Sequence, residues 1–358
     1  MNIPLKTLPS ALGALLLAFA VTHTPANAAD VAVTVEKTPD GGFVVKADGK
    51  PFATYVVTEA NKTYLWPVYG PTGKAMTRAY PMLEVEGEQH DHPHHRGICY
   101  GHESVGFPGW TETEKTGKVT GGGETWPEAR TFAPKAAKPG EAPPAPHKRL
   151  PLLGSIKHIE YKQLSAKGNE AVVVDLCEHR DPSGKSFLTE ERTMIFRATT
   201  ATRSIDFDQD FIASQGMVRF DDRKDAGLSI RVPTSMAVDS KQGGKIVNSE
   251  GLTDADAWSK AAKWCDYHGP VEGEQLGVAM FNHPSSFRYP TRWHVRTYGL
   301  FTANPFAAKQ FNKEEQDASH DLQKGQRLKL RHRFLLHSGD EKAGGIKEAY
   351  EAYAKEVK

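Results

Sequence analysis

The segment Ser204-Ile205-Asp206-Phe207-Asp208 alternates polar and apolar side chains one by one. Successive side chains of a β-strand point to opposite faces, so this period of two reads as a strand with one face in a core and one in water. Strand signals recur at Ala171–Leu176, Arg192–Phe196, Leu228–Val232, Gly277–Asn282 and Leu328–His337. Between Val31 and Val57, Pro39-Asp40-Gly41-Gly42 and Asp48-Gly49-Lys50 are turns that join three more runs into a β meander. Helical spacing is confined to the margins. Ile346, Ala349, Tyr350, Tyr353 and Val357 form one apolar stripe at the C-terminus, and Ala255–Trp264 reads as a second, short helix. Many short strands with few helices predict an all-β chain, a large antiparallel β-sandwich. At this length an extended supersandwich fits better than an immunoglobulin-sized unit.

The first 28 residues differ from the rest. Lys6 is their only charged side chain, and the apolar run Ala11–Val21 is too short for a membrane span, which takes roughly 20 residues. The small residues of Ala26-Asn27-Ala28 complete a secretory signal peptide, 1–28, cleaved after Ala28. The expectation is a periplasmic or secreted chain with a single domain, 29–358. No later segment is long and apolar enough for a membrane helix. Removing Lys6 leaves basic and acidic residues equal at 44 each. That balance argues against nucleic acid and against an electrostatically held membrane surface as partners. Cys99, Cys177 and Cys265 are odd in number, so at most one pair can bridge. The Gly- and Pro-rich stretch at about 116–151 is expected to be an exposed loop inserted between strands.

Two segments carry chemistry. Five of the fifteen histidines fall between His90 and His102, around Asp91-His92-Pro93-His94-His95-Arg96-Gly97. On an extended backbone His90, His92 and His94 would share one face and His95 the other, beside Arg96. The second segment, Phe281 to Gly299, holds His283, Arg288, Arg292, His294 and Arg296 among Tyr289, Trp293 and Tyr298. As a strand it alternates Trp293, Val295 and Thr297 with a His294-Arg296-Tyr298 face. Aromatic surfaces beside Arg and His donors suit a sugar, which needs stacking on its C–H face and donors for its hydroxyls. They suit a carboxylate almost as well. Asp225, Arg231, Asp266 and Glu103 are candidate partners in the same cleft. A metal site built on His90, His92, His94 and Glu103 ranks below these, because the Arg-rich second segment repels a cation. There is no Gly-x-Ser-x-Gly elbow, phosphate loop or Rossmann fingerprint, and no cofactor or metal is expected.

Longer motifs carry a family resemblance. They are Tyr64 to Gly73, Thr77-Arg78-Ala79-Tyr80-Pro81, Asp91 to Gly97 with Gly101-His102, Phe281-Asn282-His283-Pro284, Tyr289 to Phe301, and Asn304-Pro305-Phe306. In these the chain resembles the PmoA-like family of unknown function, often labelled methane oxygenase PmoA, over about 55–337. The resemblance implies an exported bacterial protein with a galactose mutarotase-like supersandwich and neighbours in carbohydrate metabolism. By motif position it singles out His92, His94, His95, Arg96, His102, His283, Arg292, His294, Arg296 and Tyr298. One departure is Ser285-Ser286-Phe287, where the family tends to have Asn after His-Pro.

Taken together, these features predict an enzyme acting on a sugar, a sugar acid or an oligosaccharide: an epimerase, hydrolase or lyase. His95, His294 and His102 would do acid–base work. His92, His94, Arg96, His283, Arg292, Trp293, Arg296 and Tyr298 would bind substrate. The alternatives are a non-catalytic sugar-binding module and the His-cluster metalloprotein.

Overall fold

The computed structural model describes residues 28–107, 122–133 and 145–357. The expected signal peptide, apart from Ala28, and much of the Gly/Pro-rich loop lie outside these. The meander forms as expected and begins an eight-stranded antiparallel sheet. Its strand order is Val33–Lys37, Phe43–Ala47, Lys50–Val56, Tyr64–Val68, Ile98–His102, Ala226–Arg231, Leu300–Asn304, Arg292–Val295. The second eight-stranded sheet, also antiparallel, runs Lys245–Asn248, Trp264–Val271, Glu274–Asn282, Arg327–Ser338, Arg203–Ile212, Ser186–Ala198, Glu170–Arg180, Ser155–Lys167. The two pack face to face. Phe43 of the first meets Phe196 of the second at 5.8 Å between ring centroids, and Tyr100 meets Phe211 at 4.9 Å. Each such ring removed from water contributes about 2 kcal/mol. The chain is therefore a large antiparallel β-sandwich. Among the described residues, no helix is long and apolar enough to cross a membrane. Cys99, Cys177 and Cys265 are all buried free thiols.

The C-terminal helix forms over Ile346–Tyr353 and lays Ile346, Tyr350 and Tyr353 on Phe281 and Leu335, on the outer face of the second sheet. Val357, expected on the same stripe, lies past the helix end and is exposed. The expected helix at Ala255–Trp264 is instead a single 3-10 turn, Asp254–Ala257. The backbone is extended at Trp258, φ reaches +67° at Ser259, Ala261 bridges to Arg292, and Trp264 already begins a strand. The expected wet face of Ser204–Asp208 is also covered. Asp206 is fully buried, with Oδ2 accepting from Arg333 at 2.9 Å and from Arg197 at 3.2 Å. Period-two alternation reports two different faces, and here both are inside.

One buried carboxylate shapes the loop that carries Phe311. Asp222 accepts backbone N–H bonds from Ala308, Lys309 (2.8 Å), Gln310 (3.1 Å) and Ala318 (2.9 Å). Phe311 on that loop stands 5.8 Å from the His294 ring. Asp222→Ala leaves several amides without acceptors and is expected to cost about 2–3 kcal/mol by urea denaturation. Asp222→Asn, which keeps the acceptor oxygen, should lose less.

Candidate active site

The two histidine-rich segments meet. On the strand Arg292–Val295 the alternation sends Trp293 and Val295 into the core and turns His294 outward from the first sheet. Past the strand end, Gly299 N–H donates to Arg296 O (2.9 Å), closing a turn from which Arg296 and Tyr298 reach the same space as His294. Residues 89–97 form no strand. His95 N–H donates to His92 O at 3.0 Å, and His92 has a left-handed φ of +42°. This coil brings His92, His94 and His95 to one side, where an extended backbone would have divided them. The chain regains the sheet at Gly97, where a Cβ would lie 2.0 Å from Leu65 O, so no larger residue fits. Together the segments bound a cleft of about 410 Å³, within the size range of small-ligand sites.

A network around two buried arginines, Arg78 and Arg231, fixes this coil. Arg78 donates to His92 O (3.0 Å), which holds the strained residue in place. Arg78 and Arg231 both donate to Asp91 Oδ1, at 2.5 and 2.8 Å, and Asp91 Oδ2 is 2.6 Å from His92 Nδ1. Burial raises the Asp91 pKa, but the His92 hydrogen bond and the charges of Arg231 and Arg78 outweigh it. Asp91 is therefore held well below the usual carboxylate range.

Hydrogen bonding sets the two key imidazoles in opposite senses. Arg231 NH1 lies 3.2 Å from His95 Nδ1. A guanidinium only donates, so His95 Nδ1 accepts and the ring proton is on Nε2. His294 Nδ1 lies 2.6 Å from Lys224 O. A carbonyl only accepts, so His294 carries its proton on Nδ1 and leaves Nε2 with a free lone pair. Both rings are neutral at physiological pH. Burial, then the nearby His94 and Arg231, push His95 well below its ordinary value. Burial takes His294 down to about 4, against the opposing pull of Asp225, whose Oδ1 is 3.9 Å from Nδ1. His94, beside the Thr131 hydroxyl at 3.1 Å, is lowered by burial and by Lys62 to about 2.

Aromatic surface and positive charge complete the cleft. His92 stacks on Tyr298 (5.1 Å, 2°) and on His95 (4.8 Å, 2°), and Trp126 meets His95 edge-on at 5.8 Å. Arg149 is paired with Glu103 (3.1 Å) and Glu124, and Lys224 with Asp225 (2.9 Å). Among the described residues Arg296 has no carboxylate partner. It leans on Tyr298 and Trp258.

Other sequence candidates lie elsewhere, each for a plain reason. His102 shares strand parity with Ile98 and Tyr100, so it points between the sheets, 5.1 Å from the Phe306 ring. Trp293 is buried in the core by the same parity, its indole donating to Ala262 O. His283 continues the strand Glu274–Asn282 of the second sheet and contacts Glu356 O and Tyr353, beside the C-terminal helix. Arg292 is held by Glu315 and by Ser259 O. Arg96 is buried in a two-pronged pair with Glu128 (2.9 Å for both bonds), anchoring the segment that carries Trp126. His90 stacks on Tyr80, Glu103 pairs with Arg149, and Asp266 belongs to the second sheet. The candidate metal set His90, His92, His94 and Glu103 is thus not assembled.

Trp126, Thr131, Phe132 and Arg149 line the cleft without having been singled out by sequence. They fall in or beside the stretch read as an exposed loop. A lone Trp in Gly121-Gly122-Gly123-Glu124-Thr125-Trp126 was the available signal. Lys62 positions it: its buried ammonium donates to Trp126 O (2.7 Å) and Thr125 O (3.1 Å).

No curated protein matches the chain. Among solved structures, the GH36 alpha-galactosidase AgaA from Geobacillus stearothermophilus is similar at a TM-score of 0.40 and 8% identity, over 87% of this chain and 41% of that one. The polysaccharide lyase BACCELL_00875 is similar at a TM-score of 0.27 and 11% identity, over 90% of this chain and 34% of that one. The chain spans less than half the length of either structure. A family model covers residues 42–351, and the chain belongs to that family, the family of unknown function DUF6807.

Proposed function

We propose that this chain is an exported, carbohydrate-directed enzyme that performs acid–base chemistry on a sugar or sugar acid. One observation carries the reading: two neutral imidazoles line one cleft with opposite poles that no described residue takes. His294 Nε2 accepts a proton, and His95 Nε2–H donates to a substrate oxygen. Each is locked by a framework group that permits only that sense, so neither has to reorganise when charge develops. Trp126 and the His92–Tyr298 stack give the cleft an aromatic lining suited to the C–H surface of a sugar. Arg296, which pairs with no carboxylate among the described residues, offers its guanidinium to a hydroxyl or carboxylate. The PmoA-like resemblance of Asp91–Gly97 supports the same reading, because it implies neighbours in carbohydrate metabolism. The signal-like 1–28 segment supports export.

The test is a screen of neutral and uronic-acid oligosaccharides for turnover, followed by reducing-end release and by mass spectrometry. The expected result is a product with the wild-type chain, and none with His95→Gln or His294→Gln. Sugars bound equally by all three chains, with no product from any, would replace the enzyme by a binding module.

A further inference from the structure

The cleft lies on the outer face of the first sheet, and a second cluster lies on the outer face of the other. On the strand Trp264–Val271, Cys265 and Tyr267 enter the core, so Asp266 and His268 point outward. The turn before the C-terminal helix places Glu341 beside them. Asp266 is fully buried. Its Oδ2 is 2.7 Å from His268 Nδ1 and its Oδ1 is 2.8 Å from His337 Nε2. Among the described residues no lysine or arginine pairs with it. A buried carboxylate needs compensation, and here the imidazoles of His268 and His337 supply it.

The seat of His337 is built to measure. A Cβ on Gly277 would lie 2.3 Å from the ring's Cε1, and a Cβ on Gly344 would lie 2.4 Å from its Nδ1. Only glycine on both sides leaves room for the imidazole, which then holds Asp266 by one oxygen while His268 holds the other.

We propose that Asp266 Oδ2, His268 Nδ1 and Glu341 Oε2 bind one divalent transition metal ion of the Zn²⁺ class, with His337 orienting Asp266. The three ligand atoms lie within 4.8 Å of one another. A tetrahedral ion with bonds of about 2.1 Å keeps its ligands roughly 3.4 Å apart. The separations from His268 Nδ1 to Asp266 Oδ2 and to Glu341 Oε2, 2.7 and 3.9 Å, bracket that spacing, so small side-chain shifts close the site. One imidazole with two carboxylates favours a borderline ion over Ca²⁺ or Mg²⁺, which prefer all-oxygen sets. Two carboxylates balance the ion's charge, and water takes the fourth position. The ion takes the position between His268 and Asp266 that their hydrogen bond fills. His337 holds the outer oxygen as outer-shell groups do in metal sites. The site is on the opposite side of the sandwich from the cleft and does not rest on the sugar reading.

The full chain, stripped with EDTA, is titrated with Zn²⁺ by calorimetry. Bound metal is counted after dialysis. The expected result is one ion per chain. Glu341→Gln and His268→Gln should each weaken binding at least about tenfold. The cleft variant His94→Gln/His294→Gln should bind as wild type does. Glu341 is partly exposed, so Glu341→Gln should unfold at the wild-type temperature without metal and fail to gain the Zn²⁺-induced rise. No retained ion would overturn the proposal. So would an ion kept by Glu341→Gln and lost by the cleft variant.

Discussion

His294→Gln is expected to lower kcat by about 10²- to 10⁴-fold on whichever sugar the wild-type chain turns over, with little change in KM. Glutamine keeps hydrogen-bonding atoms in nearly the same place, but its amide does not take a proton near neutral pH. A role confined to binding would raise KM and spare kcat, so the split between the two constants is the readout. The pH profile gives a second. With its pKa lowered to about 4, His294 is already deprotonated through the neutral range. Wild-type kcat/KM should therefore be flat near neutrality and fall on the acid side through a midpoint near 4. The residual rate of the glutamine variant should lack that limb. The same shift links to stability. The neutral ring is favoured on folding, so its contribution is complete above the ordinary value of 6.5 and is lost as pH falls towards 4. A glutamine variant with wild-type kcat would remove His294 from the chemistry.

The strands were legible because alternation is local. The meander at Val31–Val57 and the runs at Ala171, Arg192, Ser204 and Leu328 each carry their own signal, whatever they pack against. What covers a face is not local. Nothing near Asp206 announces that Arg333 and Arg197 will bury it, so a wet face was expected where there is none. Parity also explains the mixed fortunes of the site residues. The His294-Arg296-Tyr298 face was readable, and those three reach the cleft. Trp293 on the opposite parity does not, and His102 follows Ile98 and Tyr100 inward. Pro93 signalled that strand logic fails at His92–His95, but only tertiary bonds from Arg78 and Arg231 decide where that coil points. Trp126 and Arg149 were missed because their placement depends on Arg96–Glu128, Lys62 and Arg149–Glu124. Those are pairings across 25 to more than 60 residues, and they leave no periodic trace.

Glu190→Ala is expected to cost about 3–5 kcal/mol, more than Asp222→Ala. Glu190 lies between the sheets, fully buried with Arg192, His179 and Gln209. Its Oε1 accepts from Arg192 Nε (2.7 Å) and Gln209 Nε2 (2.8 Å), and its Oε2 is 2.8 Å from His179 Nε2. Arg192 reaches on to the Tyr55 hydroxyl (2.9 Å) and to Thr63 (2.6 Å), so the network ties the second sheet to the first. Removing the carboxylate strands a guanidinium in the core, which is why one deletion costs more than the pair itself contributes. The double replacement Glu190→Leu/Arg192→Met strands no charge and should recover most of the loss. Urea denaturation of the two variants separates these outcomes, and equal losses would mean that packing matters here more than charge. The pH dependence follows the same logic. Burial alone would raise the Glu190 pKa, but the charge of Arg192 and the His179 hydrogen bond bring it down from 4.5 to about 2. A carboxylate depressed on folding contributes stability above its unfolded value and loses it as pH falls through the folded one. Wild-type stability should therefore decline between about pH 4.5 and 2, and this component of the decline should be missing from the double variant.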